Sequence, residues 1–151
     1  MLASQTKAVA TYRIFPGQLN GHETLFGGQI LLWLDDITSV SAQRFTRHEV
    51  VTGSFDQMRF IAPVHVGDAL EITTYVSGVG HRSLEVFAKL VGEHLTSGER
   101  YLAGTAFATY VVMDNAKLPD YQADFEEAAA VNAGYAKRRS QPQIDQDLLS
   151  L

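Results

Sequence analysis

The hydrophobic positions of this chain follow two different periods, one typical of a helix and the other of strands. From about Gly28 to Phe45, apolar residues recur at intervals of three and four, as they do on the buried face of a helix. This segment therefore predicts one long helix. Its buried stripe is formed by residues 30, 34, 37, 41 and 45, with Trp33 and Val40 beside it.

Most of the remaining chain up to residue 113 has the alternating, β-branched pattern of strands separated by turn residues. The pattern predicts five strands, at residues 8–14, 50–61, 69–77, 84–90 and 100–113. Residues 121–139 are predicted to form a second helix, and the polar tail after Ser140 to be loose. One strand, a long apolar helix and four further strands predict an α+β fold, in which an antiparallel sheet wraps around one central helix.

The composition fits a single globular domain over residues 1–151, with its core at about 8–115 and a C-terminal helix and tail at 120–151. Apolar residues make up 46% of the chain and charged residues 19%. The net charge of −5 argues against a nucleic-acid partner. No apolar run reaches the roughly 18 residues of a membrane span, so we expect a cytoplasmic protein without a membrane partner.

The chemistry of thiols and metals is disfavoured. The chain has no cysteine, which excludes a thiolate nucleophile, a disulfide framework and a thiolate zinc site. Its histidines show no metal-ligand spacing such as His-x-x-x-His, so we expect no metal.

Two acids, Asp35 and Asp36, interrupt the apolar helix that opens with Gly27 and Gly28. Ionised carboxylates are costly to bury without a partner. On a helical wheel Asp36 falls on the face opposite the apolar stripe and Asp35 at its boundary, so the two acids should have different environments. The N–H groups at a helix start form a site for negative charge, and the polar turn at residues 20–24 leads into this one. These features predict a small active site at the helix N-terminus.

Sequence motifs between residues 20 and 114 occur in one known order. Asn20 is followed six positions later by Phe26-Gly27-Gly28, and then by Asp35. Further motifs lie at residues 50–52, 60–68, 80–86, 96–100 and 110–114. In this order and spacing they resemble the hotdog-fold acyl-CoA thioesterases of the acyl-CoA hydrolase type. The likeness covers about residues 8–115.

This resemblance implies a fold, an activity and an assembly. The fold would be the hotdog fold, and the activity the hydrolysis of acyl-CoA to a free acid and coenzyme A. No cofactor is implied beyond the coenzyme A carried by the substrate. The resemblance also implies a homodimer with active sites at its interface, where Asn20 of one protomer faces Asp35 of the other. Three such dimers would form a hexamer.

The resemblance also assigns roles at the reacting bond. Asp35, at the position of the family's catalytic carboxylate, would activate a water or attack the thioester itself, and the sequence leaves both open. Asn20 would orient the water or hold the thioester, with an Asx-turn as the alternative. The N–H groups of Gly27 and Gly28 would bind the oxyanion, with close packing as the alternative.

Other residues are candidates for contacts with substrate and coenzyme A. Thr52 and Asp56 lie on the strand after the helix, and a structural role is equally open for both. Arg82 and Ser83 lie on the turn that in the family faces coenzyme A, where a guanidinium suits phosphate and a hydroxyl suits phosphate or an amide. An ordinary polar hairpin end is the alternative. Arg59 is either a nucleotide contact or a surface charge.

One departure from the family pattern concerns the turn that presents Asn20. Family members usually carry glycine where this chain has Glu23, and glycine there permits a positive φ that glutamate resists. We therefore expect this turn to differ in shape, and the role of His22 is left open. Two alternative functions remain: a non-catalytic acyl-CoA-binding module, and a hotdog dehydratase or hydratase, whose sites usually pair a histidine with an acid.

Overall fold

The computed structural model describes residues 1–150 and consists of one antiparallel sheet, one long helix and a C-terminal segment with short helices. The strands are β1 Ala8–Arg13, β2 Val50–Phe60, β3 Ala69–Val79, β4 Ser83–His94 and β5 Glu99–Val112. The helices are α1 Gly27–Thr46, α2 Glu126–Ala133 and α3 Tyr135–Arg139, with short 3₁₀ turns at Ala3–Thr6, Pro16–Gln18 and Gln146–Leu148. The predicted long helix and five strands are therefore confirmed, with ends that differ by a few residues.

The five strands form one sheet in the order β1-β3-β4-β5-β2, and every neighbouring pair is antiparallel. The inner face of this sheet packs against α1. The predicted helix stripe is largely confirmed, because residues 30, 33, 34, 41 and 45 are buried and residue 37 is half-buried. Val40 is an exception: it is exposed, so its predicted place beside the stripe is wrong.

The chain after β5 packs on the outer face of the sheet. Residues 121–125 are not helical, and the single helix predicted over 121–139 is instead two short helices that meet at Gly134. An apolar cluster joins Tyr75 and Phe87 of the sheet to Ala128 of α2. The ring of Tyr135 lies where a Cβ on Gly78 would be only 2.3 Å away, so Gly78 permits α3 to dock. The tail at 140–150 is exposed, and Leu151 lies outside the described residues.

Strand β2 forms one edge of the sheet and has two irregularities. Its register with β5 shifts between Thr52 and Ser54 and again between Asp56 and Arg59. A bulge adds a residue to one strand, so the side chains beyond it change faces. The exposed surface of this edge includes the apolar side chains of Val51 and Phe60.

Candidate active site

Asp35 is the centre of the candidate site, because two strands hold its carboxylate against α1. The Thr52 hydroxyl on β2 donates a hydrogen bond of 2.7 Å to Asp35 Oδ1. The phenol oxygen of Tyr110 on β5 lies 3.1 Å from the Asp35 carbonyl oxygen and 3.5 Å from Oδ1. Asp35 and Thr52 are exposed in the single chain, whereas Tyr110 is buried. The carboxylate is thus open to a water or a substrate while its orientation is restricted.

The two helix acids differ in their hydrogen bonds and not in their exposure. Asp36 is exposed like Asp35. Its backbone carbonyl accepts a hydrogen bond of 2.6 Å from the Ser39 hydroxyl. Burial raises the pKa of Tyr12, and the negative charge of Asp36 acts in the same direction. Within residues 1–150, a residue of the sheet hydrogen-bonds the side chain of Asp35 but not that of Asp36. The two acids therefore have different environments, as expected.

The start of α1 forms the second part of the candidate site. The first hydrogen bonds of the helix run from the N–H groups of Gln29 and Ile30 to the carbonyl of Phe26. The N–H groups of Gly27 and Gly28 precede them, and no side chain among residues 1–150 caps this helix start. Such N–H groups attract negative charge. They are suitable donors for a developing oxyanion.

A cavity of about 380 Å³ adjoins this helix start. Asn20 and Thr24 are its polar members, and Gly27 contributes backbone. The remaining wall is apolar and is formed by Leu25, Ile30, Phe60, Ile61, Ala62, Pro63, Val64 and Ala103. An apolar wall beside backbone donors suits a carbonyl compound that carries a hydrocarbon part.

The two glycines also have a packing role. A Cβ on Gly27 would lie 3.3 Å from the Phe60 ring, and a Cβ on Gly28 would lie 2.4 Å from the Phe26 ring. Both rings are more than half exposed, so the neighbours could move. Gly27 and Gly28 can therefore allow close packing of the rings and also present their N–H groups as hydrogen-bond donors.

Asn20 organises the turn that leads to the helix. Its side-chain oxygen accepts hydrogen bonds from the N–H of His22 at 2.8 Å and of Thr24 at 3.1 Å, and its amide donates to the Thr24 hydroxyl at 2.9 Å. This is the Asx-turn arrangement that the sequence left open as the alternative role. Asn20 nevertheless lines the cavity, so holding the turn does not remove it from the site.

Glu23 adopts the backbone conformation that glycine would favour. Its φ is 61°, in the left-handed region, and its N–H bonds to the Asn20 carbonyl at 3.1 Å. The turn closes through the N–H of Asn20, which bonds to the Thr24 carbonyl at 2.7 Å. The glutamate therefore does not prevent a positive φ here, and the reason given for a differently shaped turn does not hold. The residue carries local strain instead.

One chain alone does not bring the two parts of the site together. Asp35 lies about two helical turns beyond Gly27, which is about 12 Å along the axis of α1. Asp35 is absent from the residues that line the helix-start cavity. The structure thus groups Asp35 with Thr52, and Asn20 with Gly27, at two separate places on the surface.

Asp56 and Ser83 lie on the other face of the sheet from Asp35. Thr52 pairs with Tyr110 on the inner face, but the shift at Gly53 sets Ser54 opposite Thr109 and Asp56 opposite Phe107. Directly paired residues share a face. Asp56 and Ser83 consequently line a cavity of about 470 Å³ on the outer face, with Tyr135, Arg138 and Arg139 of α3. The Ser54 hydroxyl donates to Asp56 at 2.7 Å.

Sequence reasoning missed the ion pair that closes this outer cavity. Arg138 donates from Nε and Nη2 to the two carboxylate oxygens of Glu85, at 2.9 and 2.7 Å, and its guanidinium stacks 4.0 Å from the centre of the Phe107 ring. Glu85 is only 7% exposed and also accepts from the Ser77 hydroxyl at 2.7 Å. By itself, the run Lys137-Arg138-Arg139 indicates no more than a cationic helix end. Glu85, flanked by the apolar residues Leu84 and Val86 on β4, was the available signal, although nothing in the sequence indicated its partner.

Arg82 and Arg59, the two cationic residues predicted to contact coenzyme A, lie in different surroundings. Arg82 is exposed and lines a third cavity of about 830 Å³ together with His81, Lys117 and Tyr121. Arg59 is exposed on β2 opposite Thr105. The neighbouring residues Arg82 and Ser83, predicted to act together, therefore line separate cavities.

Two histidines of the described chain pair with acids, and neither pair includes Asp35 or a residue of the helix-start cavity. His48 contacts Asp114 at 2.8 Å, and His94 contacts Asp68 at 2.9 Å. The hydrogen bond to Asp68 raises the pKa of His94. Burial acts to raise the pKa of Asp68, but hydrogen bonds from His94, Tyr101 and a backbone N–H outweigh it and lower that pKa.

Two further observations concern metals and membranes. Within residues 1–150, no group of three or more His, Asp or Glu side chains is arranged to hold a metal ion. No described helix is both long enough and apolar enough to span a bilayer.

Comparison with known proteins gives consistent matches. Residues 22–98 match the family model of the thioesterase superfamily. A Bacillus subtilis (strain 168) protein, named uncharacterized acyl-CoA thioester hydrolase YkhA, is 45% identical over 115 residues, which span 76% of this chain and 67% of that protein. The crystal structure of an acyl-CoA hydrolase from Bacillus cereus superposes with a TM-score of 0.89 at 38% identity, covering 93% of this chain and 88% of the other. A hexameric acyl-CoA thioesterase in its apo form has a TM-score of 0.88 at 29% identity, covering 92% of both chains.

Proposed function

The chain belongs to the thioesterase superfamily, and we propose that it is a hydrolase that cleaves the thioester of acyl-CoA into a free acid and coenzyme A. Its sheet and central helix form the hotdog fold, which confirms the predicted fold class. The observation that carries the proposal is the accessible carboxylate of Asp35, held on an apolar helix by the Thr52 hydroxyl at 2.7 Å. A binding module would have no need for a carboxylate that is both exposed and restrained.

The proposed chemistry uses the two oxygens of Asp35 differently. Oδ1 accepts from Thr52, which leaves Oδ2 to take a proton from an attacking water or to attack the thioester carbonyl directly. In the first route, the C–O bond forms as the water proton passes to Asp35. The C–S bond then breaks, and the departing sulfur takes up a proton. In the second route, Asp35 bonds to the carbonyl carbon, the C–S bond breaks and coenzyme A leaves as its thiol after taking up a proton. Water then hydrolyses the mixed anhydride, which releases the free acid and restores the Asp35 carboxylate.

The oxyanion that forms at the carbonyl needs donors that are already in place. We assign this role to the N–H groups of Gly27 and Gly28, supported by the partial positive charge of a helix start. Asn20, on the wall of the adjoining cavity, would hold the thioester or the water. The apolar part of that wall would take the acyl chain.

We propose that these parts meet across a homodimer. In one chain Asp35 and the helix start are about 12 Å apart along α1, too far for one reacting carbonyl. Two features support a second copy beside β2. First, this strand forms an edge of the sheet and exposes the apolar side chains of Val51 and Phe60. Second, α1 exposes the apolar side chains of Leu31 and Leu32. Joining the edges of two chains would bury such side chains and place Asp35 of one chain near Asn20 of the other.

We propose that three such dimers assemble into a hexamer. We also propose that the protein is cytoplasmic and needs no metal. Support comes from the solved relative described as hexameric. Arg82 and Arg59 are proposed as contacts for the phosphates of coenzyme A, and Ser83 and Asp56 as polar contacts in the outer cavity.

The competing functions predict different sites. A dehydratase or hydratase of this fold would need a histidine beside an acid at the reacting centre. The two histidine–acid pairs of the described chain, however, include neither Asp35 nor a residue of the helix-start cavity. A non-catalytic acyl-CoA-binding module would retain the cavities without turnover.

The test is a hydrolysis assay of the purified protein with acyl-CoAs of short, medium and long chains, following the release of the free thiol. Release of coenzyme A with at least one chain length is the expected result. Tight acyl-CoA binding measured by calorimetry, with no thiol released for any chain length, would instead establish the binding module. Addition of water to an enoyl-CoA without thiol release would establish the hydratase.

A further inference from the structure

A second hydroxyl reaches Asp35 from inside the protein. Tyr110 is only 1% exposed, yet its phenol oxygen lies close to the Asp35 backbone carbonyl and 3.5 Å from Oδ1. The same phenol is 2.8 Å from the hydroxyl of Thr38, which is itself buried and 2.5 Å from the Leu34 carbonyl. Thr52 therefore approaches Asp35 from the exposed edge strand, and Tyr110 approaches it from the core.

The protons in this arrangement can be counted. Tyr110 and Thr38 have one hydroxyl proton each, and each hydroxyl can accept from the other. In one order, Thr38 donates to Tyr110 instead of to the Leu34 carbonyl, and Tyr110 donates to Asp35, whose carbonyl oxygen is 3.1 Å away and whose Oδ1 is 3.5 Å away. In the other order, Tyr110 donates to Thr38, and Thr38 donates to the Leu34 carbonyl. The first order directs a donor toward the carboxylate and favours its ionised form. The second turns lone pairs toward it and favours its neutral form.

Inside the protein, the two hydrogen-bonding orders should differ appreciably in how well they stabilise the ionised carboxylate of Asp35. Hydrogen bonds to charged groups are stronger than those between neutral groups, and the low dielectric of the interior strengthens them further. Because burial raises the pKa of Tyr110, the phenol keeps its proton throughout and remains a neutral hydroxyl that can turn.

We propose that Tyr110 is a positioning residue of the reaction: with Thr38 as its alternative partner, its proton points to Asp35 while the carboxylate is ionised and turns away when Asp35 takes up a proton. This inference rests on the proposed function. Tyr110 and Thr52 together hold one carboxylate oxygen, so that the other remains directed at the substrate. No net proton passes through the phenol, and no further reactant is needed.

The titratable groups beside this network are few. Asp36 adjoins Asp35 on α1, Tyr110 itself comes from β5, and β2 contributes the uncharged Thr52. A change in the pH dependence after altering Tyr110 would therefore report mainly on Asp35.

The first test is Tyr110→Phe, which keeps the ring and removes the hydroxyl. We expect kcat to fall about threefold to tenfold with KM nearly unchanged, because the lost contact is to the reacting group and not to the substrate. The acid limb of the kcat/KM profile should move to higher pH, because the ionised carboxylate loses a donor and takes up its proton more readily.

The matched control is Tyr101→Phe. Tyr101 is also on β5 and also donates to an acid, at 2.7 Å, but that acid is Asp68, in the loop before β3, and not Asp35. Its loss should lower the free energy of unfolding and leave the pH profile in place. If Tyr110→Phe behaves like this control, Tyr110 is a structural residue only and the inference is wrong.

Two further measurements keep the test decisive. If Tyr110→Phe does not fold, 3-fluorotyrosine encoded at position 110 keeps the shape and donates more strongly, so it should move the acid limb to lower pH. If the wild-type chain hydrolyses no acyl-CoA, the proposed function fails. The Asp35 carboxyl can then be titrated by ¹³C NMR, with Asp35→Asn as the assignment standard. Identical titration curves with and without the Tyr110 hydroxyl would overturn the inference independently of the function.

Discussion

Thr52 and Asp35 are joined by a hydrogen bond of 2.7 Å that ties the edge strand of the sheet to the central helix. The bond occupies Oδ1 and fixes the rotation of the carboxylate, which leaves Oδ2 for the chemistry. Because Thr52 lies next to the bulge at Gly53, its orientation depends on an irregularity of β2. The geometry of the carboxylate that we propose to react is therefore determined by the edge of the sheet, where we also propose that a second protomer docks.

Removal of the Asp35 carboxylate should abolish turnover. We expect Asp35→Ala to lower kcat by at least about 10²-fold, which is the lower end of the contribution of a general base, and to leave acyl-CoA binding largely intact. Steady-state kinetics and calorimetry measure the two quantities. Asp36→Ala is the matched control, since Asp36 is equally exposed and should cost little. A loss below tenfold for Asp35→Ala would remove this residue from the mechanism.

Removal of the Thr52 hydroxyl should weaken the orientation of the carboxylate without removing it. We expect Thr52→Ala to lower kcat by about tenfold with little effect on KM, which corresponds to the loss of one hydrogen bond to a charged group. Thr52→Ser retains the hydroxyl and should recover most of the activity. Equal losses in Thr52→Ala and Thr52→Ser would show that the methyl group, and not the hydroxyl, is what the site requires.

Active sites shared between protomers can be reconstituted from two inactive variants. Asn20→Ala and Asp35→Ala proteins, mixed and then dissociated and reassembled, should regain activity, because each mixed dimer would contain one site with both residues intact. Thiol release measures the recovery, and native mass spectrometry verifies the exchange of subunits. If subunits exchange and no activity returns, both residues serve the same chain's site.

The strained turn at Glu23 should respond to glycine. Glu23→Gly removes the cost of a left-handed conformation, although it also makes the unfolded chain more flexible. We expect a net increase of about 0.5–1 kcal/mol in the free energy of unfolding. Urea denaturation measures this change. Glu23→Ala is the control, because alanine at a φ of 61° retains the strain and should give no such gain. A stabilisation by alanine equal to that by glycine would locate the effect in the glutamate side chain.

Recognition of coenzyme A by Arg82 should appear in KM. Arg82→Ala should raise KM for acyl-CoA several-fold with little change in kcat, because a phosphate contact remote from the carbonyl is the same in the ground and transition states. An acyl-pantetheine thioester, which lacks the nucleotide, is the control substrate and should show a smaller effect. An equal penalty for both substrates would mean that Arg82 shapes the fold or the acyl site.

The local periodicity of the sequence determined the strands, the long helix and the buried face of that helix. The spacing of apolar residues along α1 specifies which face is buried, and that face in turn places Asp35 at its boundary, because a helix converts sequence spacing directly into angle. Alternation and turn residues located the five strands for the same reason. The order of motifs from Asn20 to Asp35 identified the family. Each of these features depends on residues that lie close together in the chain.

Only the tertiary structure decided which residues of the predicted site share a location. Thr52 and Asp56 would lie on one face of a regular strand, but the bulge at Gly53 sends them to opposite faces of the sheet. A glycine inside a strand was the one local hint of that bulge. The pairing of Glu85 with Arg138 joins residues 53 positions apart, and Tyr110 meets Asp35 across 75. Such contacts depend on how the whole chain packs, and local sequence periodicity does not encode that packing.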